Sequence, residues 1–153
     1  MKIVRNITIS PEEYFTALIE GVIKSANAGL EQGDTPYTED DLINGTTMIR
    51  NKHNVFKKDR YTVDTYVPNK SMTGHISSVI EESTFEYEII PLGNGGCTVN
   101  YTAFVTKKLE KPKSKPGQMW AQALTLSKMA NEIIDIETAV NRKKYGGSGH
   151  RPF

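Results

Sequence analysis

The chain has 153 residues, which suits one domain; 37% hydrophobic and 24% charged residues describe an ordinary globular protein that needs no disulfide or metal staple. Nineteen basic against eighteen acidic residues leave a formal net charge of +1, which makes no electrostatic case for nucleic acid or an anionic membrane. A single cysteine, Cys97, excludes an intramolecular disulfide, and there is no cysteine cluster to suggest a metal.

Residues 2–9 alternate apolar and polar, the period of a short strand. The opening Met1-Lys2-Ile3-Val4-Arg5 lacks the apolar stretch of a secretory signal, and no apolar run is long enough to span a bilayer. The expected setting is therefore cytoplasmic, without membrane insertion. Ser10-Pro11-Glu12-Glu13 is a capping box with proline at the first helical position, and it predicts a helix to about Ala26. Tyr14, Phe15, Leu18, Ile19, Val22, Ile23 and Ala26 recur at three-four spacing along it, and Asn27 and Gly29 end it. A polar loop follows. Thr38-Glu39-Asp40-Asp41 then predicts a second, short helix that stops at Asn44-Gly45.

After Gly45 the period changes to two. Strands are expected over Thr46–Asn54, Tyr61–Val67 and 72–80, then over Phe85–Ile90 and Cys97–Thr106. Turns are expected at Pro68-Asn69-Lys70, Glu81-Glu82-Ser83 and Gly93-Asn94-Gly95-Gly96. Turns at such short, regular spacing predict an antiparallel meander. A basic, proline-broken connector, residues 107–117, leads to one long helix over about Gln118–Lys144. Its apolar stripe is expected to run Met119, Ala123, Leu126, Ala130, Ile133, Glu137 and Val140, widened by Trp120, Leu124, Ile134 and Ile136. Gly146 is expected to stop the helix, and the Gly-Ser-Gly tail reads as flexible.

This order resembles the START-like, or Bet v 1-like (SRPBCC), helix-grip superfamily over residues 1–144. "YTVDTYVPNKSMTGHISS" is similar to its strands joined by a proline-containing turn. "STFEYEIIPLGNGGCTVNYTAFV" is similar to its hairpins of the type YEI-P-GNG-T-V-YT, with a texture like that of uncharacterised members from Gram-positive bacteria. The resemblance implies an α+β fold: a curved antiparallel β-sheet gripping a long C-terminal α-helix, with two shorter helices after the first strand. It implies one domain over residues 1–145 with a flexible tail at 146–153. It also implies a cavity between sheet and helix, of the kind in which members commonly bind hydrophobic or amphipathic small molecules. Other members are cyclases, ring-hydroxylase subunits or chaperone co-regulators, so the fold leaves function open.

Strand parity puts Tyr61, Val63, Ile76, Phe85, Tyr87, Val99 and Tyr101 on the inward face. The inward tyrosines are either polar handles in a ligand cavity or phenols satisfied by backbone, water or the rim. Trp120 and Leu124 are either lids at the cavity mouth or plain core. Those residues other than Val99 are the candidate ligand-binding set. His75, Glu86 and Glu88 are expected to face solvent, Glu81-Glu82 to lie in a turn, and Glu137 to be exposed. His53, His150 and Cys97 have no partners at metal-ligand or nucleophile spacing, so no metal, cofactor or catalytic residue is expected. Lys107–Lys115 is basic but free of aromatics, which argues against nucleic acid.

The leading expectation is a non-enzymatic protein binding a small apolar or amphipathic ligand. A polyketide cyclase or dehydratase-type enzyme would need an inward acid or base, and strand parity supplies none. An interaction module, monomeric or homodimeric, would need an exposed apolar patch. The outer parity of Tyr66, Val79, Ile90 and Phe104 offers one.

Overall fold

A computed structural model of the protein describes residues 1–108 and 114–145. The expected flexible tail, the stop at Gly146, His150 and the centre of the basic connector lie outside those residues.

Among the described residues, nine elements follow in chain order. They are β1 (Lys2–Ile7), α1 (Pro11–Asn27), α2 (Glu39–Ile43), β2 (Met48–Arg50), β3 (Asp59–Val67), β4 (Ser71–Ser78), β5 (Glu81–Pro91), β6 (Cys97–Lys108) and α3 (Lys115–Tyr145). Both capping boxes form. The Glu13 amide donates to Ser10 Oγ at 3.1 Å, and the Ser10 amide donates to Glu13 Oε1 at 3.0 Å. Thr38 and Asp41 repeat the arrangement at α2.

The strands form one antiparallel sheet in the order β1-β6-β5-β4-β3-β2. Helices α1 and α2 carry the chain from edge β1 to edge β2, and the meander returns it. The inner face of the sheet buries Met48, Met72, Ile89 and Val99 beneath Tyr14, Phe15, Leu18 and Ile19 of α1. This is the expected α+β helix-grip architecture.

Helix α3 is attached mainly by its C-terminal half. The Thr8 amide and Oγ1 donate to Glu137 Oε2 at 2.7 and 3.0 Å, and Asn141 Nδ2 donates to Thr8 Oγ1 at 3.2 Å. Glu137 is thus half-buried and bonded rather than exposed as expected. The buried residues of α3 are Met129 and Ile133, with Ile136 and Val140 packed beside them. The packed stripe is Met129-Ile133-Ile136-Val140; it keeps the expected Ile133, Ile136 and Val140 and adds Met129. Met119, Trp120 and Leu124 are 71, 69 and 47% exposed, so the first turns of α3 neither fill the core nor close the cavity.

Two further departures have local causes. A bulge between Val63 and Thr65 inserts one residue and reverses the parity of β3. Tyr66 therefore turns inward and packs edge-on against Phe15, with centroids 5.5 Å apart, while Val67 turns out. The expected outer patch loses Tyr66 for this reason. Ile90 pairs with Thr98 and Phe104 with Thr84, which sets them far apart along the β5–β6 ladder and outside a single patch. The expected strand over Thr46–Asn54 shrinks to three residues because Asn51 takes a positive φ of 52° and turns the chain. Glu81 and Glu82 lie in β5, paired in register with Lys108 and Lys107, rather than in a turn.

Candidate functional site

A pocket of about 520 Å³ opens between the sheet and the two long helices. Its floor is Tyr61, Ile76, Phe85, Tyr87 and Tyr101. These residues converge because they are register neighbours: Tyr61 opposes Ile76, Phe85 opposes Gly74, and Tyr87 opposes Tyr101. Gly74 permits the arrangement, since a Cβ there would collide with the Phe85 ring and the Thr62 carbonyl oxygen. The freed ring lies on Tyr61, stacked at 4.8 Å and 25°. Tyr87 stacks on Tyr101 at 4.2 Å and 18°, and Phe85 meets Tyr87 edge-on at 6.0 Å. Leu18, Gly21 and Val22 of α1 form one wall, and Lys128, Glu132 and Ile136 of α3 form the other.

The polar groups reach this aromatic floor from different elements, Glu132 from α3 and Arg50 from β2. Tyr87 Oη donates to Glu132 Oε2 at 2.8 Å. Burial raises the Glu132 carboxyl above its ordinary range, opposed by that hydrogen bond. Burial also raises the phenols of Tyr61, Tyr87 and Tyr101. Arg50 forms a two-pronged pair with Asp59, both contacts at 2.7 Å, and its guanidinium lies 5.1 Å from the centre of the Tyr61 ring. Tyr14, fully buried, has a hydroxyl with no hydrogen-bond partner among the described residues. Lys128, Asn131 and Asp135 are exposed at the rim.

Five of the eight candidate residues meet at this pocket: Tyr61, Ile76, Phe85, Tyr87 and Tyr101. Val63 is buried at 4% exposure in the core and does not line it. Trp120 and Leu124 stand outside it. Among the lining residues outside the candidate set are Glu132 and Arg50. Glu132 supplies the inward acid that strand parity lacked, because it comes from the helix. Its signal was its place in the three-four series Met129-Glu132-Ile133-Ile136. Arg50 lies within the strand expected over Thr46–Asn54, with no local partner to single it out. The β2–β3 register that sets it opposite Asp59 was the missing clue.

His75, His53 and Cys97 stay apart from the pocket. His75 is exposed and paired with Asp64 at 2.9 Å, and His53 is paired with Asp34 at 2.7 Å. Burial pushes the Cys97 thiol up to about 11, leaving it a packed apolar residue rather than a nucleophile. Among the described residues, no three His, Cys, Asp or Glu side chains gather as a metal site, and no helix is long and apolar enough to cross a membrane.

The family model described as "Domain of unknown function (DUF3284)" matches residues 1–119. No curated protein matches the sequence. Among solved structures, the chain is similar to the Aha1 dimer from Colwellia psychrerythraea at 15% identity and a TM-score of 0.57, covering 92% of this chain and 94% of that one. It is similar to Ara h 8.0201 at 12% identity and a TM-score of 0.58, covering 92 and 95%. A START superfamily protein from Mycobacterium smegmatis shares 11% identity at a TM-score of 0.53, covering 93 and 97%. These likenesses show the fold, a Bet v 1-like and START-like helix grip.

Proposed function

We propose that this chain, which belongs to the DUF3284 family, binds a small amphipathic molecule with a planar apolar part in the pocket beneath α3. The observation behind it is an open pocket of about 520 Å³ with four aromatic rings on its floor and a hydrogen-bonded carboxyl, Glu132, at one side. Affinity would come from apolar burial, at about 25 cal/mol per Å². Orientation would come from Glu132 and the tyrosine hydroxyls. The ligand class is that of a flat ring system carrying one polar end. Residues 1–145 would act as one unit. Cys97, a buried thiol without a second cysteine, supports a cytoplasmic setting.

Binding of the fluorescent amphiphile anilinonaphthalene sulfonate tests the pocket. Saturable binding that is lost in Gly21→Phe supports it, because Gly21 lines the pocket and open space faces its missing side chain. Equal binding by wild type and Gly21→Phe would exclude the pocket as the site.

Glu132 alone favours a second reading, a proton-transfer enzyme acting on a ligand in the same pocket. A carboxyl with a raised pKa, placed in an aromatic cavity, is suited to exchange a proton with a bound molecule. Glu132→Gln separates the two: conversion of a bound compound that stops while its affinity holds marks a reaction, whereas loss of affinity alone marks a binding role.

A further inference from the structure

The whole-chain charge of +1 conceals a local concentration. Residues 50–60 carry Arg50, Lys52, Lys57, Lys58 and Arg60 against the single acid Asp59. Arg50 is held by Asp59, and Lys52 by Asp34. Lys57, Lys58 and Arg60 have no carboxylate partner among the described residues. In the midst of these cations stand the most exposed large apolar residues among those described. Phe56 is 95% exposed and Val55 75%. The β4–β5 turn adds Val79 at 75% and Ile80 at 52%. The two loops face one another across a cleft of about 490 Å³ that also includes Lys57 and Lys58.

The β2–β3 tip is held in this form. Asn54 Oδ1 accepts from the amides of Phe56 and Lys57 at 3.1 and 3.3 Å, and the Lys58 amide donates to the Asn54 carbonyl at 2.8 Å. A hydrogen-bonded turn that presents a phenylalanine to water loses hydrophobic stabilisation unless something covers the ring.

We propose that this end of the sheet docks peripherally on an anionic lipid surface, with Phe56 and Val79 entering the interface and Lys57, Lys58 and Arg60 facing the headgroups. Apolar burial and cationic attraction are the two contributions that hold a non-spanning protein on a bilayer, and here they share one site. A symmetric contact with a second copy would set Lys57, Lys58 and Arg60 against themselves. A rigid partner would need sockets for knobs from two separate loops, whereas a bilayer interface adapts to them. The surface is separate from the pocket and does not depend on its having a ligand.

The test is sedimentation of the full chain with phosphatidylcholine vesicles and with vesicles containing phosphatidylglycerol. The chain should partition onto the anionic vesicles and much less onto the neutral ones, with added salt weakening it. Phe56→Asp should lower the partition roughly tenfold or more. The double variant Lys57→Glu/Lys58→Glu should abolish the preference for phosphatidylglycerol. Phe56 touches little, so an unchanged thermal unfolding of Phe56→Asp keeps the comparison valid; if that variant unfolds early, Val79→Asp replaces it. Absence of partition overturns the proposal, as does equal partition onto both vesicle types. Undiminished partition of Phe56→Asp overturns it too, reducing the effect to adsorption through lysines. Retention on polyglutamate without vesicle binding would assign the surface to an acidic protein. Self-association abolished by Phe56→Asp without vesicle binding would assign it to a second copy.

Discussion

The Tyr87 hydroxyl donates to Oε2 of Glu132 across 2.8 Å, joining β5 to α3 over the aromatic floor of the pocket. The bond places a carboxyl where desolvation works against its charge, and it gives back part of what desolvation removes. The same residue thus holds α3 over the sheet and supplies the pocket's acid.

The first prediction is a pH dependence of stability. Glu132 has a folded pKa above its ordinary value of 4.5. A group raised in this way contributes stability that is fully present below the ordinary value and is lost as pH rises through the folded pKa. Glu132→Gln keeps an acceptor for Tyr87 and carries no charge. Urea midpoints of variant and wild type should therefore nearly coincide below pH 4.5 and separate above it, with the variant the more stable. Tyr87→Phe removes the opposing hydrogen bond and should widen the window. A wild type that gains on Glu132→Gln as pH rises would contradict this account.

Gly21 carries the second prediction. It lies inside α1, and a Cβ there would meet nothing within 4 Å. Gly21→Ala should stabilise the chain by about 0.5–1 kcal/mol through helix propensity alone, seen as a higher urea midpoint. An unchanged or lower midpoint would mean that the helix needs its glycine.

A third outcome concerns Gly74 in β4. The Cβ of Gly74→Ala collides with both the Phe85 ring and the Thr62 carbonyl oxygen, one soft and one rigid neighbour. The cost should be about 3 kcal/mol or more. Phe85→Leu in the same chain should return only part of it, because the backbone collision remains. A double-mutant cycle measures that coupling. Simple additivity would mean that ring and glycine are independent.

Features set by near neighbours were legible before the structure. Ser10 and Thr38 announce their helices because a cap bonds to residues three positions away. Alternation placed Tyr61, Phe85, Tyr87 and Tyr101 on one face because β5 and β6 keep a regular pleat there. Where parity failed, a bulge had intervened: nothing at Asp64 marks the extra residue that sends Tyr66 inward. Helix α3 departed in its N-terminal half, where Met119, Trp120 and Leu124 stay exposed, while the expected Ile133, Ile136 and Val140 pack with Met129. Glu132 lies beside that stripe, and a polar residue's place beside an apolar stripe does not by itself signal that a pocket will bury it. Phe56 joins a surface only through Val79 and Ile80 of another loop, a proximity that no local pattern signals.

The last prediction concerns the phenol of Tyr14. The residue is fully buried, and its hydroxyl has no hydrogen-bond partner among the described residues. Burial is the first cause that raises its pKa, and the negative charge of Glu132 adds to it, so the phenol stays protonated. A buried hydroxyl without a partner costs about 1–3 kcal/mol relative to one that is bonded. Tyr14→Phe removes the oxygen and keeps the ring against the sheet. It should therefore be neutral or stabilising by about 1 kcal/mol, an inversion of the usual loss when a buried tyrosine is truncated. Urea unfolding of the ligand-free chain reads this directly. A loss of about 1 kcal/mol or more would mean that the hydroxyl is bonded in solution, with a buried water between Tyr14 and the Glu132 side of the pocket as the nearest candidate. Repeating the measurement in Glu132→Gln distinguishes the two. An orphan hydroxyl gives the same Tyr14→Phe effect in both backgrounds, and a water-bridged one does not.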